Sequence, residues 1–133
     1  MILVDTSVLI DFLKDVKNKS TGKFERVIDQ EIPFGIHHLI YLEILQGAKT
    51  EKDYKTLKTY LDSQHFFDLR NDKKSYADAA KMYMILRGKG VTIRSSFDCL
   101  LAQVAIENGL FLLHNDLDFT RIAKHFPLKI WDF

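Results

Sequence analysis

Cysteine is almost absent from this sequence: Cys99 stands alone. No internal disulfide can form, which points to a reducing compartment, and no cysteine-supported zinc site can be assembled around the five histidines. Proline and glycine are sparse, with two and six copies, so no stretch reads as a linker or a low-complexity segment. Neither sign of charge dominates. A formal net charge of +1 gives no global pull on polyanions, so a nucleic acid must be held by a local patch or a metal. No apolar run approaches the length of a membrane span. The N-terminus lacks the basic region, apolar stretch and small-residue cleavage site of a signal peptide, and the protein is expected in the cytoplasm. Phosphate-cradling glycine loops are missing too, with neither G-x-x-x-x-G-K-[ST] nor G-x-G-x-x-G present.

What is there is an ordinary globular composition, 47% hydrophobic and 28% charged. At 133 residues it is expected to form one domain spanning 1–133, large enough to bury a core without staples. Ile2-Leu3-Val4 and Leu110-Phe111-Leu112-Leu113 are continuously apolar, the pattern of strands buried on both faces. Shorter extended segments are expected at 32–36, where Pro33 suits a strand start or an edge, at 65–69 and at 127–130. Residues 14–22 are polar and interrupted and read as a loop. Helical stripes follow. Phe24, Val27 and Ile28 mark one; residues 37–46 form another, apolar nearly all round and closed by Gly47. Residues 51–63 carry Tyr54, Leu57 and Leu61 on one face, and Tyr76, Ala80, Tyr83 and Leu86 repeat at helical spacing before Gly88 and Gly90. A helix over 95–108 is closed by Gly109, and a last one runs to about His125. Helices alternating with short buried strands predict a three-layer α/β/α sandwich around a mostly parallel central sheet.

The carboxylates carry the chemical signal. Asp5 directly follows the first apolar run and precedes Thr6 and Ser7, hydroxyl residues that suit a helix start. A helix cap accounts for it, and so does a place at the carboxyl end of a parallel strand, where α/β sheets gather their chemistry. Glu43 lies among Leu39, Ile40, Leu42 and Ile44 with no Lys or Arg three or four positions away. It either reaches water along a narrow edge or is bound. Asp98 occupies the first turn of its helix, where the dipole favours an anion, beside Phe97, Leu100 and Leu101. Asp116 and Asp118 flank the start of the last helix, and either suits a cap. Taken together, acids after two apolar strands and on two neighbouring helices form a crowded oxygen cluster if the sheet joins those ends. Such a cluster suits Mg²⁺ or Mn²⁺, which clamp a phosphodiester, activate a water and stabilise the leaving oxygen. Cys99, inside an apolar helix, reads as a buried structural thiol. A haloacid-dehalogenase-like phosphatase would need an Asp where Ser7 stands. A response-regulator receiver would need an acidic pair near the first strand and a mid-chain phosphoacceptor.

Four segments then resemble the PIN domain, and specifically the VapC-type toxins of VapBC toxin–antitoxin systems. Residues 1–10, MILVDTSVLI, resemble the family's opening strand with its first acid. Leu42-Glu43-Ile44-Leu45-Gln46-Gly47 is similar to its second-acid helix, Ser96-Phe97-Asp98-Cys99-Leu100-Leu101-Ala102 to the third, and Asn115-Asp116-Leu117-Asp118-Phe119 to the closing acidic turn. The resemblance implies a metal-binding and catalytic quartet of Asp5, Glu43, Asp98 and Asp116. It further implies that Asp118 assists or replaces Asp116 at the metal, and that Thr6, with Ser7 beside it, positions water or metal. His114 departs from the Ser or Thr common two residues before the fourth acid. The implied protein is a Mg²⁺- or Mn²⁺-dependent endoribonuclease acting on RNA, a homodimer, restrained by a small antitoxin whose basic or aromatic tail blocks the cleft. Tyr54 and Tyr60 are candidates for the apolar part of that contact, and Lys14, Lys17, Lys19, Lys89 and Arg94 for contacts to the RNA backbone. The alternatives are a non-catalytic PIN-like module binding RNA or protein, a housekeeping RNA-processing nuclease, and a structure-specific DNA nuclease. Retention of all four acids weighs against the first. The absence of extra segments for threading or clamping a flap weighs against the last.

Overall fold

The most apolar stretch of the chain becomes its geometric centre. In the computed structural model, which describes Met1–Phe133, β1 (Ile2–Val4) is fully buried in the middle of a five-stranded sheet. It is followed by α1 (Thr6–Leu13), α2 (Lys19–Asp29), β2 (Phe34–Ile36), α3 (His38–Gln46), α4 (Glu51–Asp62), β3 (His65–Phe66) and α5 (Asp72–Gly88). Then come α6 (Ser96–Glu107), β4 (Phe111–Leu113), α7 (Leu117–Ala123) and β5 (Lys129–Ile130). The strand order is β3-β2-β1-β4-β5 and every pairing is parallel, so the expected α/β/α sandwich is realised with a wholly rather than mostly parallel sheet.

Parallel strands need crossovers, and the helices that supply them cover the sheet. One group packs α1 on α2 and α3, and α3 on α4; the other packs α5 and α7 on α6. The core is a single cluster of 29 buried apolar residues, with Phe24, Phe119, Ile40, Leu61, Leu101 and Leu112 among its fully enclosed side chains. The chain runs outward from β1 through β2 to β3, then returns past β1 to β4 and on to β5, so the sheet has its topological switch between β1 and β4. In such sheets the crevice outside the carboxyl ends of the strands is the natural place for a site.

Gly35 in β2 is where the packing leaves no room. A Cβ there would lie 2.5 Å from the His65 carbonyl oxygen and 2.7 Å from the Phe67 ring, closer than any real Cβ contact. The missing side chain lets β3 close onto β2.

Several sequence expectations shift. The polar segment 14–22 is not all loop, because Asn18 forms a reciprocal capping box with Thr21 and starts α2 at Lys19, leaving Gly22 inside the helix. The 65–69 segment shortens to a two-residue strand. On α3 the burial is one-sided: Ile40, Ile44 and Leu45 are enclosed while Leu42 is exposed. On α5 the buried stripe is Ser75, Ala79, Met82 and Leu86, rotated away from Tyr76, which faces solvent. Tyrosine tolerates either environment, so its spacing alone did not fix the face. No helix is long and apolar enough to cross a membrane.

Candidate active site

β1 ends at Val4, and the next residue both caps a helix and faces the crevice. Asp5 is the N-cap of α1: its Oδ2 accepts the Ser7 amide (3.1 Å) and the Ser7 hydroxyl (2.6 Å). Its Oδ1 accepts nothing from the chain. The cap thus uses one oxygen and leaves the other without a partner in the chain. Ser7 Oγ in turn accepts the Asn115 amide (3.0 Å), and the Asp5 amide donates to the Leu113 carbonyl (3.0 Å). These two bonds tie the turn after β1 to the turn after β4, so Asp5 and Asp116 sit in fixed register.

The turn after β4 carries Asp116, the N-cap of α7. Its Oδ1 accepts the Asp118 amide (2.9 Å) and Arg94 Nη2 (2.8 Å). Asp98, in the first turn of α6 behind the Ser95 cap, comes beside it: one carboxylate oxygen each from Asp98, Asp116 and Asp118 lie within 4.8 Å of one another. Burial raises the Asp98 pKa from 3.8 to about 7, reinforced by the negative charges of Asp116, Asp5 and Asp118 and opposed by Arg94. Asp5 is raised as well, chiefly by burial, with its Ser7 bonds opposing and the charge of Asp116 adding. Glu43 is half-buried on α3. Burial, then the charge of Asp5, pushes it upward, and the neighbouring Thr6 hydroxyl holds it back slightly. Charge thus couples Asp5, Asp98 and Asp116 to one another, and Glu43 to Asp5.

Asp118 has a different setting. Its side chain is fully buried; Oδ2 accepts the Arg94 amide (3.1 Å) and Arg94 Nε (3.2 Å), and Oδ1 accepts Arg121 Nη1 (2.7 Å). Burial alone would raise its pKa, but the bonds from Arg94 and Arg121 outweigh burial and hold it below the ordinary value. Both oxygens are occupied. Arg94, one of the basic residues considered for RNA contacts, is committed here to Asp116 and Asp118. Lys17 is paired with Asp15 and Glu25. His114 keeps the hydrogen bond that its departure from Ser or Thr put in question: Nδ1 accepts the Asp116 amide (3.0 Å), and burial keeps the ring's pKa low. Cys99 is buried and its thiol is pushed up to about 11, so it is no nucleophile. Tyr54 is exposed, whereas Tyr60 packs against the core.

The bonds of Arg94 and Arg121 to Asp118 are the part of the site that the sequence reading did not name. The Asp118–Arg121 pair has i,i+3 helical spacing and was open to inspection; Arg94, 24 positions from Asp118, gave no such signal.

The donor set fits a hard divalent cation. All its donors are oxygens and the carboxylates share charge. The Thr6 Oγ1, buried among them, makes no hydrogen bond of ordinary geometry. A second group, His37, His38 and Asp68, does not fit. His37 Nδ1 accepts the Leu39 amide (3.0 Å), which leaves the proton on the Nε2 that faces Asp68.

A family model described as PIN domain matches residues 2–125. The chain is 30% identical over 134 residues to "VapC ribonuclease Mb1587" of Mycobacterium bovis (strain ATCC BAA-935 / AF2122/97), the match covering 100% of this chain and 99% of that protein. The same values hold for "Ribonuclease VapC11" of Mycobacterium tuberculosis (strain CDC 1551 / Oshkosh). Among solved structures, VapBC2 from Rickettsia felis bound to a DNA fragment from their promoter superposes with a TM-score of 0.73 at 22% identity, covering 99% of this chain and 100% of that one. At that identity the likeness is one of fold.

Proposed function

The chain belongs to the PIN-domain family, and on that premise we propose that it is a divalent-metal-dependent endoribonuclease, the toxin of a toxin–antitoxin pair. The observation that carries this reading is the crowding of Asp5 and Asp116 on an Asp98 whose pKa is pushed up to about 7, with Glu43 of α3 against Asp5. Carboxylates crowded to that degree are compensated by a cation. Asp5, Glu43, Asp98 and Asp116 would hold Mg²⁺ or Mn²⁺, which when bound activates a water and stabilises the leaving oxygen of the phosphodiester.

The chain's own residues prepare the site for this. Ser7 locks one oxygen of Asp5 and leaves the other facing the crevice. Asp118, tied to Arg94 and Arg121, acts as an anchor that sets the spacing between the start of α6 and the start of α7, and hence between Asp98 and Asp116. We therefore assign Asp116 rather than Asp118 as the fourth ligand. Burial and the neighbouring negative charges favour the protonated form of Asp98 in the metal-free chain, and a bound cation would favour its ionised form. The buried Thr6 hydroxyl, beside Glu43, helps to position that carboxylate.

RNA as substrate is supported by the relatives named ribonucleases, and an antitoxin partner by the VapBC neighbour. An apolar cleft of about 400 Å³ between α1, α3 and α4, with Ile10, Leu13, Ile44 and Leu57 in its wall, offers a seat for an apolar segment of that partner. The whole chain works as one nuclease unit, paired as a homodimer, in the cytoplasm.

The test is direct. Purified, metal-stripped protein is expected to leave single-stranded RNA intact and to cut it internally once Mg²⁺ or Mn²⁺ is added; Asp5→Asn is expected to bind Mn²⁺ far more weakly and not to cut. RNA that stays whole across a range of sequences with metal present, or an Asp5→Asn chain that binds Mn²⁺ as the wild type does, overturns the proposal.

A further inference from the structure

Asp116 has a second neighbourhood. It forms part of the wall of a cleft of about 500 Å³ between the first turn of α2, the turn from β4 to α7 and the residues after β5. That volume falls within the range of about 300–1,000 Å³ typical of small-ligand sites. Lys19 and Lys23, one helical turn apart on the same face of α2, both line it. The positive end of the α2 dipole adds to their charge. Asn115 and Thr120 supply neutral polar groups, and Trp131 an aromatic wall.

Two features make this more than a basic hollow. Its position relative to the acids is fixed: the Ser20 hydroxyl of α2 donates to the His114 carbonyl (3.2 Å), and His114 Nδ1 accepts the Asp116 amide (3.0 Å). The Trp131 ring, half-buried in that wall, is held edge-on against Phe111. Two lysines and an aromatic ring match the phosphate and the base face of a nucleotide, with the carboxylates of Asp116 and Asp132 in the same wall. The basic tail of an inhibitor suited to the acid cluster would be repelled by Lys19 and Lys23. Asp132 pairs with Lys23 from a position 79% exposed, a contact that a phosphate can replace.

We infer that this cleft is the subsite for the nucleotide adjoining the scissile phosphodiester of a single-stranded RNA, with Lys19 and Lys23 taking its phosphate and Trp131 its base. The inference rests on the ribonuclease function proposed above. Trp131 is the single tryptophan of the chain, so its indole N–H resonance reports on the cleft alone.

The experiment titrates ¹⁵N-labelled, metal-free full chain carrying Asp5→Asn with a mixed-sequence single-stranded hexaribonucleotide. A saturable shift of the Trp131 indole signal is expected. The double variant Lys19→Gln/Lys23→Gln should weaken binding about tenfold and flatten the log–log salt dependence by about 1.4, the value for two lost phosphate contacts on a single strand. In the active chain, the same double variant should raise KM far more than it lowers kcat. If the active chain cuts RNA but the indole never moves and the double variant keeps the wild-type KM, the subsite is overturned and the ribonuclease function stands. If the indole shifts saturably while the active chain cuts no RNA, the cleft stands as a nucleotide site and the ribonuclease function falls. An indole that responds to a basic peptide but not to the RNA overturns the proposal in favour of protein docking.

Discussion

Asp98 concentrates the physics of the site in one side chain. Its folded-state pKa of about 7 lies above the ordinary 3.8, so the fold disfavours its ionised form when no cation is present. The stability it contributes is complete below about pH 4 and is lost as pH rises through 7. Metal-free Asp98→Asn should therefore melt about 3–8 °C above the wild type at pH 8, with the gap narrowing as pH falls and closing by about pH 4, a comparison made by calorimetry. Mn²⁺ affinity of the wild type should rise about tenfold per pH unit up to pH 7 and then level off, as one proton is displaced. Glu43→Gln keeps the shape of its side chain, so it should fold normally yet cut RNA about 10²–10³-fold more slowly, measured in single-turnover assays. Cutting at the wild-type rate would make Glu43 a bystander. Asp116 and Asp118 separate in the opposite sense: Asp118→Asn should cost about 2–4 kcal/mol by denaturant unfolding because it strips the buried anchor from Arg94 and Arg121. Asp116→Asn should leave stability nearly unchanged and abolish cutting. At this scale Glu43 and Asp98 stood out in the sequence, because a carboxylate among apolar neighbours needs a reason to be there, while Asp5 and Asp116 read equally well as helix caps and joined them through their place after apolar strands and the family resemblance. The bonds from Arg94 to Asp118 were not, because a contact across 24 positions leaves no local trace.

Element by element, the signals that survived folding were those with one physical reading. Continuous apolar runs became central strands, Gly47 and Gly109 followed helix ends, and Ser95 capped α6. The signals that failed were ambiguous by nature. Polar residues 14–22 looked like loop because the Asn18–Thr21 capping box is built from the same residue types that loops use. The tyrosines of α5 misdirected the choice of face because an amphipathic ring is at home in either environment. Strand order has no local signature at all, so the close approach at Gly35 appears only once β2 and β3 are paired. Gly35→Ala forces its Cβ into the His65 carbonyl and the Phe67 ring and should lower stability by about 1–3 kcal/mol. That loss should appear in thermal melts without a change in Mn²⁺ affinity, since the contact lies away from the acids. A weakened metal site would mean that β3 is coupled to the acid crevice.

For the molecule as a whole, the proposal turns on restraint. Expression of the chain alone in a bacterial host should arrest growth, co-expression with a cognate antitoxin should restore it, and Asp5→Ala should be harmless without any partner. Arrest by Asp5→Ala equal to that of the wild type would separate toxicity from cutting, and a harmless wild type that cuts RNA in vitro would indicate a housekeeping enzyme.

The pairing of β1 with β4 has a further consequence, which concerns time. Ile2 is aligned with Phe111 and Val4 with Leu113, and Ser7 is bonded to Asn115. At about 5–20 residues per second, a ribosome needs roughly 5–20 s to travel from the codon of Asp5 to that of Asp116. Throughout that interval the emerging chain owns Asp5 and lacks Asp116, and the central strand waits without one of its two neighbours. On the proposed acid set, a nascent chain of this protein has no complete site to turn on the messenger that encodes it, or the ribosome that makes it, until Asp116 has emerged.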